Sequence, residues 1–126
     1  MNFPENLKYT KDHEWIKLEK NIGLIGITEY AQGELGDVVF VDIDPSITQI
    51  TKGNSFGTIE AVKTVSDIYA PCTGKIVEIN KDLTDNPEFV NNDPYGKGWM
   101  VKVELQDVSE LNDLLDSSTY KNLIGQ

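Results

Sequence analysis

The sequence predicts a mainly β fold, a small barrel or sandwich. Three observations predict it. Short apolar or alternating runs recur along the whole chain, they are rich in Val, Ile, Phe and Trp, and Gly, Pro, Asn and Asp separate them. That is the chemistry of strands joined by turns. Only two stretches carry helical signals, and 126 residues suffice for one domain with a modest core.

Taken in order, "HEWIKLE" (13–19) and "IGLIGIT" (22–28) read as two strands. "TEYAQGEL" (28–35) reads as a short helix with Thr28 as its N-cap, limited by Gly33. Four strands follow, "GDVVFVDI" (36–43), "SFGTIEAV" (55–62), "TVSDIYA" (64–70) and "GKIVEIN" (74–80). "LTDNPEFVNNDPYGKG" (83–98) holds two prolines and two glycines and reads as an ordered surface excursion; an irregular loop of that length is usually functional or packed by its own side chains. "WMVKVEL" (99–105) is the last strand. In "SELNDLLDSSTYKNLIG" (109–125), Ser109 is placed to cap a helix whose Leu111, Leu114 and Leu115 share a face, with "DSS" at 116–118 breaking the run. This is a C-terminal helical appendage on the β core. A faint echo of strand, loop and strand at 23–43 and 74–105, each opening on glycine (Gly23, Gly74), would give a quasi-symmetric pair of small sheets. It would place the segment between them at one end of the molecule.

Composition excludes several classes of function. The chain carries 21 acids against 11 bases, every base is lysine, and the net charge is -10. No basic block exists to neutralise phosphates or an anionic bilayer, so neither nucleic acid nor a membrane surface is an expected partner. The acids are spread evenly, as on the surface of a soluble monomer. Cys72 is the only cysteine, which rules out an intrachain disulfide and a thiolate cluster and fits a reducing compartment. "MNFPENLKYT" has neither an apolar signal core nor an Arg-rich presequence, so the expected location is the cytoplasm, ahead of a mature mitochondrial form.

Motifs for catalysis are sparse. His13 lacks the i, i+4 partner of a zinc helix and reads as a structural or surface histidine. Cys72, in "APCTG", reads as a small half-buried hydrophobe rather than a nucleophile paired with His13. There is no GxGxxG or P-loop string. Asp42 and Asp44 share a strand face, but a solvated face is the default for such a pair. No catalytic centre and no metal site is expected.

One residue stands apart. In "GTIEAVKTVSDIYAP" (57–71), Lys63 is the only cation between Lys52 and Lys75, with Glu60 and Asp67 around it. A strand runs into it and a strand leaves it, so the amine projects from a hairpin tip, although no Asn-Gly or Gly-Gly pair marks the bend. A rigid tip presenting one amine suits a covalent attachment point. Acylation there would remove the charge and hang a flexible arm outside the fold.

At "IEAVKTVSDIYAP" the chain resembles the lipoyl-lysine segment of the glycine cleavage system H protein family, whose usual pattern is Glu-Ser-Val-Lys followed by Ser-Asp and Pro. The likeness covers nearly the whole chain, through "LKYTKDHEWI", "GITEYAQGELGDVVFVDI", "APCTGKIVEIN", "NPEFVNNDPYGKGWMVKV" and "ELNDLL" in order. Ala61 stands where serine is common and Cys72 where an aliphatic residue is usual, and neither touches the lysine.

The resemblance implies a flattened barrel-sandwich hybrid of the biotinyl/lipoyl type, with short helices. It implies one lipoyl-carrier domain over 1–126, with a lipoyl-binding core at about 22–105 and a C-terminal helix at about 109–124. It further implies a non-catalytic carrier that holds lipoate in amide linkage to Lys63 and shuttles the aminomethyl group of glycine. The implied partners are a pyridoxal-phosphate glycine decarboxylase, a tetrahydrofolate-dependent aminomethyltransferase, a dihydrolipoyl dehydrogenase and a lipoate-attaching enzyme. It points to Glu14 and Asp67, with Asp12 as a third where the family often has serine, as acids of a cleft that contacts the arm. Solvated surface positions are the alternative for all three. A lipoyl donor or a carrier for another lipoate-dependent complex is the alternative function; a dedicated dehydrogenase domain would show Asp-Lys-Ala at the tip. A biotinyl carrier would show methionines where Val62 and Thr64 stand. Outside the carriers, an interaction domain with an incidental Lys63 completes the set.

Overall fold

The computed structural model describes residues 1–126. Nine strands alternate with short helices: β1 (Lys8–Tyr9), β2 (Glu14–Glu19), β3 (Ile22–Ile27), α1 (Glu29–Leu35), β4 (Val38–Asp42), β5 (Gln49–Ile50), β6 (Ser55–Ala61), β7 (Val65–Tyr69), β8 (Gly74–Ile79), α2 (Asp82–Asp85), α3 (Phe89–Asn92) and β9 (Val101–Leu105). A 3-10 turn (Val108–Asp113) and α4 (Ser117–Ile124) end the chain. Six strands form one sheet in the order β1-β2-β3-β9-β8-β5, and β4-β6-β7 form a second. All pairs are antiparallel.

The mainly β expectation holds, in its sandwich form. Ile16, Ile25 and Val103 of the larger sheet and Val41, Ile59 and Ile68 of the smaller one share a single apolar core. Burying side chains of this size contributes about 1.5–3 kcal/mol each. The sheets do not close into a barrel, and a groove of about 750 Å³ follows the open seam between Phe40, Ile43, Ile79 and Leu83. Six strands against three is not a quasi-symmetric pair: β8 and β9 pair with each other, whereas β3 and β4 lie in different sheets. The glycines that suggested an echo answer local crowding instead. A Cβ on Gly74 would collide with the Glu104 carbonyl oxygen.

Two other expectations are corrected. The stretch 109–124 is not one helix. Asp107, not Ser109, caps the 3-10 turn, accepting from the Ser109 N–H at 3.0 Å, and Asp116 caps α4 by accepting from the Thr119 N–H at 2.8 Å. Between them Leu115 is drawn into extended pairing with Tyr9, the two exchanging backbone bonds of 2.8 Å each. Cys72 is not half-buried; it sits fully enclosed in the core.

The excursion at 83–98 packs as a support. Its helices α2 and α3 bury Leu83 and Val90, and Asn80 pins it by donating to the Lys97 and Trp99 carbonyls at 2.9 and 2.7 Å. A second, aromatic cluster of Phe3, Leu7, Tyr9, Trp15 and Tyr120 joins the N-terminal segment to α4.

Candidate functional site

Lys63 stands at the tip of the β6–β7 hairpin, exposed, between Val62 at 71% exposure and Val65 at 62%. Ala61 donates its N–H to the Thr64 carbonyl at 2.9 Å, which closes a loop on Val62 and Lys63. Two-residue hairpin loops usually need residues with positive φ, and neither of these has one. The tip is held from outside instead. The Val62 N–H donates to the Asp37 carbonyl at 3.0 Å, and the Lys63 N–H donates to the Leu35 carbonyl at 3.1 Å. The end of α1 thus does the work that an Asn-Gly pair does elsewhere.

That helix end is itself built for the purpose. Thr28 caps α1 as its position suggested, its hydroxyl accepting from the Ala31 N–H at 3.1 Å. Gly36 terminates the helix at φ 83°, ψ -161°, a conformation essentially reserved for glycine. A Cβ there would approach the Lys63 side chain to 3.2 Å. From behind, Asn91 of α3 donates to the Gly36 carbonyl at 3.1 Å and accepts from the Val38 N–H at 2.8 Å. The excursion therefore braces the lysine-bearing tip, a role no motif in its sequence announced. The Lys63 Nζ makes one long contact, 3.4 Å to the Gly33 carbonyl, and belongs to no ion pair.

Beside the tip runs a groove of about 270 Å³. One wall is α1, through Tyr30, Ala31, Glu34 and Leu35; the other carries Asp12, His13 and Glu14; Ile27 and Ile59 form an apolar floor, and Ser66 and Asp67 of β7 close it. Leu35, whose carbonyl holds Lys63, lines this groove. All three acids singled out by the resemblance thus share one groove adjoining the lysine. A second cavity of about 340 Å³ also touches Asp12 and Glu14, from the side of Tyr9, Lys52 and Leu114. The larger seam groove contains neither Lys63 nor these acids.

The three acids differ. Asp12 and Asp67 are exposed; Asp67 accepts from the Ser55 hydroxyl at 3.2 Å and from the Tyr69 hydroxyl at 3.4 Å. Glu14 is only 2% exposed, so the solvated-surface alternative fails for it. The Thr10 hydroxyl donates to one carboxyl oxygen at 2.6 Å and the Tyr69 N–H to the other at 3.3 Å. Burial pushes the Glu14 carboxyl up to about 7, against these two hydrogen bonds, which pull it down. Near neutral pH it is poised between its neutral and ionised forms, and an approaching cation would favour the latter.

The remaining candidates fall away on geometry. Cys72 lies in the main core, where burial pushes its thiol up to about 12. His13 meets Tyr120 rather than a nucleophile, its Nδ1 lying 2.8 Å from the tyrosine oxygen, and burial lowers its pKa. Asp44 lies beyond the end of β4, accepting from the Ser46 N–H and hydroxyl at 2.9 and 2.7 Å, and these bonds hold its carboxyl below the usual range. It forms no acid–base pair with Asp42. Sequence reasoning passed over Thr10 and Tyr69, which hold Glu14: both fall inside stretches that carry the family resemblance, but nothing local marks either as a partner of Glu14.

Residues 7–126 match the family model described as Glycine cleavage H-protein. Three curated proteins named "Glycine cleavage system H protein" align over all 126 residues and over their own full lengths, at 58% identity from Staphylococcus haemolyticus, 57% from Staphylococcus carnosus and 53% from Staphylococcus epidermidis. The crystal structure of a glycine cleavage system H protein from Mycobacterium marinum superposes with a TM-score of 0.90 at 37% identity, covering 98% of this chain and 100% of that one.

Proposed function

The chain belongs to the glycine cleavage H-protein family, whose members are carrier subunits, and on that premise we propose that Lys63 is its point of lipoate attachment and the adjoining acid groove the resting place of the arm. It is the lipoyl carrier of the glycine cleavage system. The observation that carries the site is the free amine of Lys63 on a tip braced at both neighbouring N–H groups, beside a groove with an apolar floor and carboxylate walls. The residues present fit a lipoyl arm: Ile27, Ala31, Leu35 and Ile59 suit its hydrocarbon chain, and the amine can form the amide. When bound, the group supplies a dithiolane that accepts and releases the aminomethyl group of glycine.

This chain's own part is to present, park and release. The braced tip presents the amine to the attaching enzyme and, once that nitrogen is acylated, would present the arm to glycine decarboxylase, the aminomethyltransferase and dihydrolipoyl dehydrogenase in turn, which raises the effective concentration at each. The apolar floor excludes water. Glu14, Asp67 and Asp12 favour a cationic amine in the groove. Each exposed carboxylate contributes about 0–1 kcal/mol, and the buried Glu14 contributes more because water screens it less. The carrier has no catalytic centre of its own in this reading, and the bacterial origin of its relatives supports a cytoplasmic location.

Peptide mass spectrometry after expression with lipoate and a ligase tests the attachment site. Modification is expected at Lys63; lipoate on another lysine, or biotin on Lys63, would remove the proposal. For the groove, Glu14→Ala combined with Asp67→Ala should accelerate loss of the aminomethyl group from the loaded carrier while leaving lipoylation intact. Equal rates of thiol release in mutant and parent would leave Lys63 as the sole functional residue.

A further inference from the structure

We propose that the Tyr120 hydroxyl, delivered by the C-terminal helix α4, is a positioning group that locks together the two walls of the arm groove, reinforcing the direct bond from the Thr28 N–H to the His13 carbonyl. This deepens the groove reading above and rests on it for its link to the arm.

The first observation is backbone strain. Only His13 and Lys20 among the non-glycine residues have positive φ, at 73° and 57°. Lys20 lies in the tight turn between β2 and β3, where such a φ is ordinary. His13 instead lies between Asp12 and Glu14, in the wall that carries the acids. A left-handed conformation in an L residue persists only where its surroundings hold it. Here the His13 N–H donates to the Thr10 carbonyl at 3.1 Å, its own carbonyl accepts from the Thr28 N–H at 3.0 Å, and its ring lies 5.1 Å from that of Tyr30. Its Nδ1 shares a 2.8 Å hydrogen bond with the Tyr120 hydroxyl.

The second observation is that the same hydroxyl shares a 2.8 Å hydrogen bond with the Thr28 Oγ1, the N-cap of α1. α1 forms the opposite wall and holds Lys63 through the Leu35 carbonyl. One buried hydroxyl therefore binds the acid wall on one side and the lysine-holding helix on the other. The Tyr120 ring is fixed without it, stacked on Tyr9 at 4.8 Å and set edge-on to Phe3 at 5.6 Å. Phenylalanine would fill that space equally well, so what the hydroxyl adds is the two bonds.

The test compares full-length, lipoylated parent and Tyr120→Phe proteins. Amide hydrogen exchange at Thr28 and Ala31 should rise about tenfold, while Val103, in the middle of the larger sheet, stays unchanged. The loaded carrier should lose its aminomethyl group about threefold faster than the parent. Unchanged exchange at Thr28 and Ala31, or an equal rise at Val103, overturns the positioning role; loosened walls with an unaltered rate of loss overturn its connection to the arm. The acid reading fails by a separate result, an unaltered rate in the Glu14→Ala, Asp67→Ala protein, which says nothing about the exchange at Thr28 and Ala31.

Discussion

Lys63 and Glu14 are the two ionisable side chains on which the proposed site turns, and the fold treats them in opposite ways. Lys63 is exposed, its Nζ has one long contact, and everything that fixes it acts on its backbone. Glu14 is 2% exposed, and its carboxyl is gripped by a hydroxyl and an N–H. A group that must be handed from one large partner to another is best left free at its end and rigid at its root. A group whose carboxyl must be raised toward neutral pH is best buried, because desolvation is what disfavours its charged form. The difference separates delivery at the tip from charge tuning in the groove beside it.

The sharpest way to break this comparison is to remove the amine. Lys63→Ala should abolish lipoylation and carrier function altogether, yet shift the unfolding free energy by no more than about 0.5 kcal/mol, since the side chain packs against little. A large fall in melting temperature would make Lys63 a structural residue. Next in size is the pH behaviour of Glu14. Its folded-state pKa is raised from 4.5 to about 7, so the folded chain binds that proton more tightly than the unfolded one. The stability it contributes is fully present below about pH 4.5 and is lost as the pH rises through about 7, on the order of 3 kcal/mol. His13, whose pKa burial lowers from 6.5, acts in the opposite sense within this window, its contribution being lost as the pH falls. Urea unfolding at both ends should therefore show the net slope, and Glu14→Gln should remove the Glu14 part and leave that of His13. The hydrogen-bonded aspartates Asp44, Asp107, Asp113 and Asp116, all held below the usual range, act in the opposite direction and below this window.

Smaller effects sharpen the contrast between root and end. Gly36→Ala should cost about 1–3 kcal/mol, because alanine at φ 83° is strained wherever its methyl points, and melting curves will register it. Val62→Thr and Val65→Thr, at the exposed end of the same hairpin, should each change stability by less than about 0.5 kcal/mol. Losses at the valines as large as the loss at Gly36 would mean that the tip is packed rather than braced.

The hairpin tip was legible in the sequence because the strand pattern on either side of Lys63 is local, although no turn chemistry marks the bend itself. So was the Thr28 cap, which needs only the residues next to it. Glu14 was legible as a candidate but not as a buried one: its exposure depends on β7 lying across β2, a contact between residues 55 apart that leaves no periodic trace. The same holds for Tyr120, whose partners His13 and Thr28 are 107 and 92 residues away. The split of the C-terminal stretch followed from Tyr9 pairing with Leu115, which overrode the helical spacing of Leu111, Leu114 and Leu115. The excursion at 83–98 was expected to be ordered, but its hold on Gly36 through Asn91 depends on a single amide of a kind common in loops.

The enclosed Cys72 has a consequence for the proposed lipoyl arm, which carries sulfur. Mixed disulfides form when a thiolate attacks, and the attacking sulfur must be both ionised and reachable. Cys72 is neither, being 0% exposed with its thiol held at about 12. It fills core volume as an aliphatic side chain would. The carrier's only native sulfhydryl is thus kept out of exchange with its own cargo, and no intramolecular disulfide can trap the arm part-way through its circuit.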